Sequence, residues 1–419
     1  MHILRFLTIL ILTLSFSGCL KRENPKPKIK VITTPEQSTI NHIPQQQPRA
    51  IYDNRATYAR TVRVIPRDIS PPPQQNITPQ TPTRQPRHMT RRFNFDLVYS
   101  PTLRGYYSNN YKLKKFIDSM VNRYGFKREY LYGLFSTVNR DIKALKKYNV
   151  IGKPKKSKKP SDSIGSWDRY PKFITADRIE KGVEFWRKNR YWLDKAYRIF
   201  GVEPEYIVGI IGVETNYGRH TGDHRVLDAL TSLALEYKSR SKFFTKQLEN
   251  YILLTKEQGL NPFNIYGSYG GAFGIVQFMP DSYRKYAIDF DGDGIANLFN
   301  PADAIGSVAN FFINKGKWIP GIPVAMRVYY PRKRFNALPT GYKTEYFQDY
   351  LISLGMRPTG NFNGYRGPVS LIKLNKYDRD ELWWGTKNFY AIARYNPKDY
   401  YVMSVHLLGQ AVKRAYFGR

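Results

Sequence analysis

The chain has 419 residues, a formal net charge of +34 and a single cysteine. That length has room for two or three domains with a substantial core. A lone Cys19 excludes a disulfide framework and thiol chemistry in the folded part, and the absence of zinc-finger spacing or a basic helix argues against nucleic acid as the partner of all that positive charge.

In chain order, Arg5 precedes an apolar run from Phe6 to Phe16, followed by Ser17, Gly18 and Cys19. The run is too short to span a bilayer and ends in small residues, as an export signal does. Small residues before a cysteine resemble a bacterial lipobox, which implies acylation of Cys19 after cleavage at 1–18. Phe16 departs from the usual Leu, and cleavage elsewhere would leave a free exported protein. Leu20 rather than Asp after the cysteine points, by resemblance to sorting rules, to the periplasmic face of an outer membrane. In that compartment the positive charge suits anionic lipid head groups or acidic cell-wall peptides; a solvated lysine-rich surface is the alternative.

Residues 19–92 are rich in Pro, Gln and Arg and poor in large apolar side chains, so they read as a disordered linker. A coil of roughly 70 residues averages about 45 Å end to end. Folded sequence begins near Phe93. Leu113, Phe116, Ile117 and Met120 mark an amphipathic helix, Tyr130 to Arg140 a second, and Lys153–Pro160 a basic loop. Thr175 is placed to cap one long helix carrying Ile179, Val183, Trp186 and Leu193. Further helices are predicted at Val226–Glu236, Ser241–Gln258, Pro280–Tyr286 and Ala302–Asn314. Strand-like runs at Gly321–Tyr330 and Val369–Leu374 flank a helical Glu345–Gly355, and a helix over Met403–Tyr416 closes the chain. The division expected is a helical domain at 93–205, a catalytic core at 206–318, a small mixed α/β insert at 319–376 and a returning segment at 377–419. The fold class is mainly α, with a minor β part.

Glu214 ends an apolar helical stretch, Tyr206-Ile-Val-Gly-Ile-Ile-Gly-Val-Glu214, with Pro204 as its first residue. A carboxyl set in an apolar wall is desolvated, which raises its pKa and makes it a proton donor near neutral pH. The plain alternative is a helix-end glutamate paired with Arg219 or Arg225. Two further segments carry chemistry: Gly267-Ser-Tyr-Gly-Gly-Ala-Phe-Gly-Ile-Val-Gln-Phe-Met-Pro280, and the Asp-rich stretch from Asp289 to Ser307. Asp289, Asp291 and Asp293 followed by Gly294 are similar to the start of an EF-hand calcium loop, but the twelfth position is Asn300 rather than Glu.

Gly212-Val-Glu-Thr-Asn-Tyr-Gly-Arg219 and these two segments, in this order and with Trp167-Asp-Arg-Tyr170 and Lys387-Asn-Phe-Tyr390, resemble the membrane-bound lytic murein transglycosylase B family from about Trp167 to the C-terminus. The resemblance implies a lysozyme-like helical core that cleaves the β-1,4 bond between N-acetylmuramic acid and N-acetylglucosamine without water, leaving a 1,6-anhydromuramoyl end. Glu214 would be the single acid and then base. Ser268 and Gln277 match substrate-contacting positions, with glycines 270, 271 and 274 letting the backbone approach the glycan. Tyr170, Asn388 and Tyr390 match cleft positions. Phe311, expected at the substrate, stands where the family has Tyr, so one hydroxyl contact is lost. Ser239-Arg240 stands where a pair of arginines meets the peptide carboxylates, so only Arg240 remains. In the family's longer calcium loop, Asp303 matches the closing carboxylate and the Ile295 carbonyl a further ligand, with Ca²⁺ in a structural role and no cofactor for catalysis. The expected partners are peptidoglycan strands and a membrane through Cys19, for a monomer. Two rivals stay open: a non-catalytic wall-binding lipoprotein, and a hydrolytic muramidase with Asp223 or Asp281 as its second carboxylate.

Overall fold

A computed structural model describes residues 93–152, 163–170, 173–360, 362 and 364–418. The export signal, Cys19, the linker and the basic loop lie outside the described residues. The order begins with α1 (Tyr111–Tyr124), whose first amides bond to the Asn110 side chain and which buries Leu113, Phe116, Ile117 and Met120. The predicted helix over 130–140 divides: α2 (Arg128–Ser136) ends early, and α3 (Ile142–Lys147) starts from Asp141, whose carboxylate accepts the Ala144 amide at 2.8 Å.

Thr175 does cap a helix, but the expected long one is two: α4 (Ala176–Lys188) and α5 (Arg190–Phe200). The break is Asn189, at φ −112° and ψ 20°, whose side chain bonds back to the Phe185 carbonyl and competes with helix continuation. Next come α6 (Pro204–Thr215), the short strand β1 (His224–Arg225), α7 (Val226–Glu236) and α8 (Ser241–Gln258). β2 (Tyr266–Gly267) pairs antiparallel with β1 and is followed by α9 (Pro280–Tyr286) and α10 (Pro301–Phe311). The last predicted turn of that helix widens instead into a π-type turn at Phe312–Gly316.

The remaining elements are β3 (Ala325–Tyr329), α11 (Gln348–Ser353), β4 (Arg357–Pro358), β5 (Ser370–Asn375), β6 (Asp380–Gly385), α12 (Lys387–Ala393) and α13 (Asp399–Phe417). The sheet has the order β4-β3-β6-β5, antiparallel throughout. Its strand β6 lies beyond the 319–376 span, and so the β part extends to Gly385. Alternation along β5 sends Ile372 and Leu374 into the main core and Leu371 into a smaller one with Val328, Leu382 and Trp384.

The main core is continuous from Tyr107 to Val412, and α6 runs through it. Residues Glu205 to Val213 are all buried, as expected of a helix apolar on every face. α13 lies against α6 so closely that a Cβ at Gly409 would sit 2.3 Å from the Glu205 carbonyl oxygen. This contact joins the end of the chain to the helix that carries Glu214.

Candidate active site

Glu214 occupies the last turn of α6. The helix stops because Asn216 and Tyr217 both adopt left-handed backbone angles, φ 50° and 61°. Two consecutive non-glycine residues in that region store strain that the surrounding core must hold. Thr215, fully buried, locks the turn: its hydroxyl accepts the Gly218 amide at 3.0 Å and donates to the Ile275 carbonyl at 2.7 Å. The loop of the second motif is thereby fixed to the end of the helix of the first.

The side chain of Glu214 is partly exposed, yet its surroundings are aromatic. The Tyr401 hydroxyl, from α13, donates to Glu214 Oε1 at 2.6 Å. Burial first, and then the nearby Glu214 charge, raise the phenols of Tyr170 and Tyr395 above their ordinary range. Tyr170 is itself stacked on Trp167 at 5.8 Å, and Tyr395 donates to the Val276 carbonyl. Desolvation pushes the Glu214 carboxyl up to about 7, partly offset by the Tyr401 phenol. Neither expected cation partner serves it: Arg219 lies beside Glu184, and Arg225 pairs with Asp228. Among the described residues no second carboxylate contributes to its shift. Asp223 is 82% exposed beside His224, and Asp281 lines a separate depression with Ser239 and Arg240.

Ser268 follows β2 directly, and its hydroxyl oxygen accepts the Ala272 amide at 3.1 Å. Gln277 has φ 51°, and its Nε2 donates to the carbonyls of Thr221 and Gly274, both at 2.9 Å. Its Oε1 has no partner among the described residues and remains an acceptor for a ligand N–H. The neighbouring glycines need correction. A Cβ at Gly271 would strike Leu230, and one at Gly274 would strike Leu298, so their smallness serves packing within the protein rather than approach to a glycan.

Two other expected contacts are also corrected. Asn388 is fully buried, and its side chain is spent on the Ile319 amide and the carbonyls of Ile319 and Ile322. It ties α12 to a turn and has nothing left for a substrate. Phe311, 5% exposed, packs among Phe278, Tyr286 and Tyr395 behind the site. Tyr390 is exposed at 41% with its ring near Tyr342, and Arg240 is exposed over the Phe243 ring at 4.4 Å. The sequence reading did not single out Tyr401 or Tyr395. Nothing local marks them among 33 tyrosines; only the α6–α13 contact brings Tyr401 to a residue 187 positions earlier.

At the aspartate loop, carboxylate oxygens of Asp289, Asp291 and Asp303 lie within 4.8 Å of one another. Asp293 is not in that group and instead accepts the Ile295 amide at 2.9 Å. Asp303, on the first turn of α10, is fully buried and accepts the amides of Phe290 and Asn297, each at 2.7 Å. Burial still lifts its carboxyl to about 6. None of these aspartates has a Lys or Arg ion-pair partner among the described residues. A crowded, unpaired set of hard oxygen donors fits a divalent cation.

Residues 108–410 match the family described as Transglycosylase SLT domain. The chain belongs to that family. It is 41% identical over 312 residues to membrane-bound lytic murein transglycosylase B of Escherichia coli K12, covering 74% of this chain and 85% of that protein. The fold is similar to that of the E. coli lytic transglycosylase Slt35, solved in complexes with bulgecin A and with calcium. In both cases the TM-score is 0.69 at 38% identity, over 80% of this chain and all of the other. It is also similar to SltB3 of Pseudomonas aeruginosa in complex with NAG-anhNAM-pentapeptide, with a TM-score of 0.62 at 25% identity over 72% and 79% of the two chains. The mainly helical, lysozyme-like core expected from the motifs is therefore the fold of this chain.

Proposed function

We infer that Glu214 works this protein's lytic murein transglycosylase chemistry alone, first as acid and then as base. The chain is a lytic transglycosylase acting on peptidoglycan. A carboxyl with a pKa of about 7 is protonated in about half of the molecules at neutral pH, so it can donate to the oxygen of the β-1,4 bond between N-acetylmuramic acid and N-acetylglucosamine as the C1–O bond breaks. The resulting carboxylate then takes the proton of the muramoyl 6-hydroxyl while that oxygen bonds to C1. This closes the 1,6-anhydro ring and restores the acid. Tyr401 holds the carboxyl in place through both steps. Ser268 and the free acceptor of Gln277 are suited to the sugar's hydroxyl and acetamido groups, with Tyr170, Tyr390 and Arg240 as further substrate contacts. The single observation that carries this reading is an aromatic-walled carboxyl with no second carboxylate acting on it among the described residues, because hydrolysis of this bond ordinarily uses a flanking pair.

Calcium is the cation we assign to Asp289, Asp291 and Asp303, with the Ile295 carbonyl as a further ligand. Its role is to fix the loop against α10; the metal supplies no step of the reaction. We also propose that Cys19 is the lipid attachment point, which places the enzyme at the periplasmic face of the outer membrane. Mass spectrometry of the exported protein would overturn that assignment if it found Cys19 unmodified or removed with the signal. The catalytic reading is tested by mass spectrometry of muropeptides released from purified sacculi by residues 93–419. Products one water lighter than hydrolysed muropeptides, absent with Glu214→Gln, are expected. Reducing-end products would mean hydrolysis, and release of nothing by the unaltered protein would mean a binding protein.

A further inference from the structure

Beside Ser268 lies a group of aromatic rings with cations at its edges. Tyr269 is the next residue after Ser268 and is 38% exposed. Its ring is braced on two sides: edge to face with Tyr148 at 5.3 Å, and beside the His224 imidazole at 6.4 Å. The ammonium of Lys147, the last residue of α3, stands over the Tyr269 ring at 5.3 Å from its centre. From Tyr148 the group continues to Tyr237 at 5.5 Å and Phe244 at 5.5 Å, and there the Arg240 guanidinium lies over both Phe243 and Phe244.

Lys147 and Arg240 therefore flank one rigid aromatic wall that leads into Ser268. Neither has a carboxylate partner among the described residues, although acids stand nearby. Those acids are committed elsewhere. Asp141 holds His224 at 2.6 Å and the Ala144 amide, and Asp223 lies 3.7 Å from the other nitrogen of His224. Two exposed cations held in place on aromatic faces, without counter-ions, leave their charge directed outward to a ligand. β1 and β2 hold this wall in register with the motif loop, His224 opposite Gly267, so the cations keep a fixed position relative to Ser268 and Gln277.

We propose that Lys147, seated on Tyr269, is a substrate-specificity residue that binds a carboxylate of the peptide carried by the muramoyl sugar. This rests on the murein reading above: the polymer is a glycan whose side chains are carboxylate-bearing peptides, and the basic wall runs outward from the glycan-facing Ser268. Lys147 then makes the enzyme prefer peptide-bearing strands, acting on binding rather than on proton transfer. An exposed ion pair of this kind is modest and screened by salt, so the expected preference is about three-fold and shrinks at high ionic strength.

The test compares kcat/KM on peptide-bearing glycan strands with that on strands stripped of peptide by an amidase, using the protein from residue 93 onward. Lys147→Met, which keeps the side chain's length, should lower the ratio of the two about three-fold through KM. Lys147→Arg should restore it, and Lys143→Met, on the same helix, should leave it alone. A ratio unmoved by Lys147→Met overturns the proposal, and so does an equal fall with Lys143→Met. If the unaltered protein makes no anhydro-ended product from either substrate, the murein reading itself fails, a result distinct from an unmoved ratio.

Discussion

Glu214 and the aspartate loop put the same functional group to opposite uses. Among the described residues one phenol is the only hydrogen-bond partner of Glu214, no cation pairs with it, and tyrosine rings stand around the carboxyl. Desolvation wins and the acid keeps its proton to about pH 7. At Asp289 burial also opposes ionisation, but the amides of Gly294, Gly292 and Asp293 outweigh it and hold the carboxyl below its usual range. At exposed Asp289 backbone donors make a carboxylate, whereas at Glu214 aromatic walls make an acid; buried Asp303 lies between, its amides outweighed by burial. A helix end closed by left-handed residues leaves no free amides to aim at Glu214, while a glycine-rich turn supplies several at Asp289.

The contrast breaks most visibly at Glu214. Replacing it with Gln keeps the shape and removes the proton, so product formation should fall by roughly 10²–10⁴-fold or more in a muropeptide release assay. The aspartate loop should respond in stability rather than in rate. Chelation is expected to lower the Tm by roughly 5 °C, and Asp303→Asn should abolish that calcium-dependent shift in a thermal melt. An Asp303→Asn protein that still gains stability from calcium would remove the buried aspartate from the ligand set.

Glu214 should also make the protein pH-sensitive. Its folded pKa lies above the unfolded value of about 4.5, so its contribution to stability is complete below pH 4.5 and is lost as pH rises through about 7. Glu214→Gln is therefore expected to melt higher than the parent at pH 8, by up to about 3 kcal/mol, and no higher at pH 4. The smallest effect sharpens the role of Tyr401. Because its phenol lowers the acid's pKa, Tyr401→Phe should move the alkaline limb of kcat/KM upward by about one unit or less. Movement downward would mean that Tyr401 favours the neutral acid.

The sequence carried the parts of this site that are local. Pro204 and the apolar run announce α6, and helices such as Val226–Glu236 and Ser241–Gln258 appear with their predicted bounds because apolar periodicity marks them and Gly259, in left-handed backbone, ends the second. Glu214, Ser268 and Gln277 stand out because they belong to contiguous motifs. What was hidden depends on long-range packing. Tyr401 lies in an ordinary amphipathic helix, and its partner is set by how α13 crosses α6. Asn388 was expected in the cleft because it matches a family position, but its side chain is fully buried and three hydrogen bonds to the backbone consume it. β6 escaped notice because Asp380-Glu-Leu-Trp-Trp-Gly385 begins with two acids, and only the ladders to β3 and β5 make it a strand.

The most direct measurement is a carbon-13 NMR titration of the Glu214 carboxyl in the protein from residue 93 onward, with Glu214→Gln used to assign the signal. A midpoint near 7, shifted upward in Tyr401→Phe, is expected of the acid. A midpoint at the ordinary glutamate value of 4.5 would contradict that role, because Glu214 would then be ionised at neutral pH and could not serve as the acid.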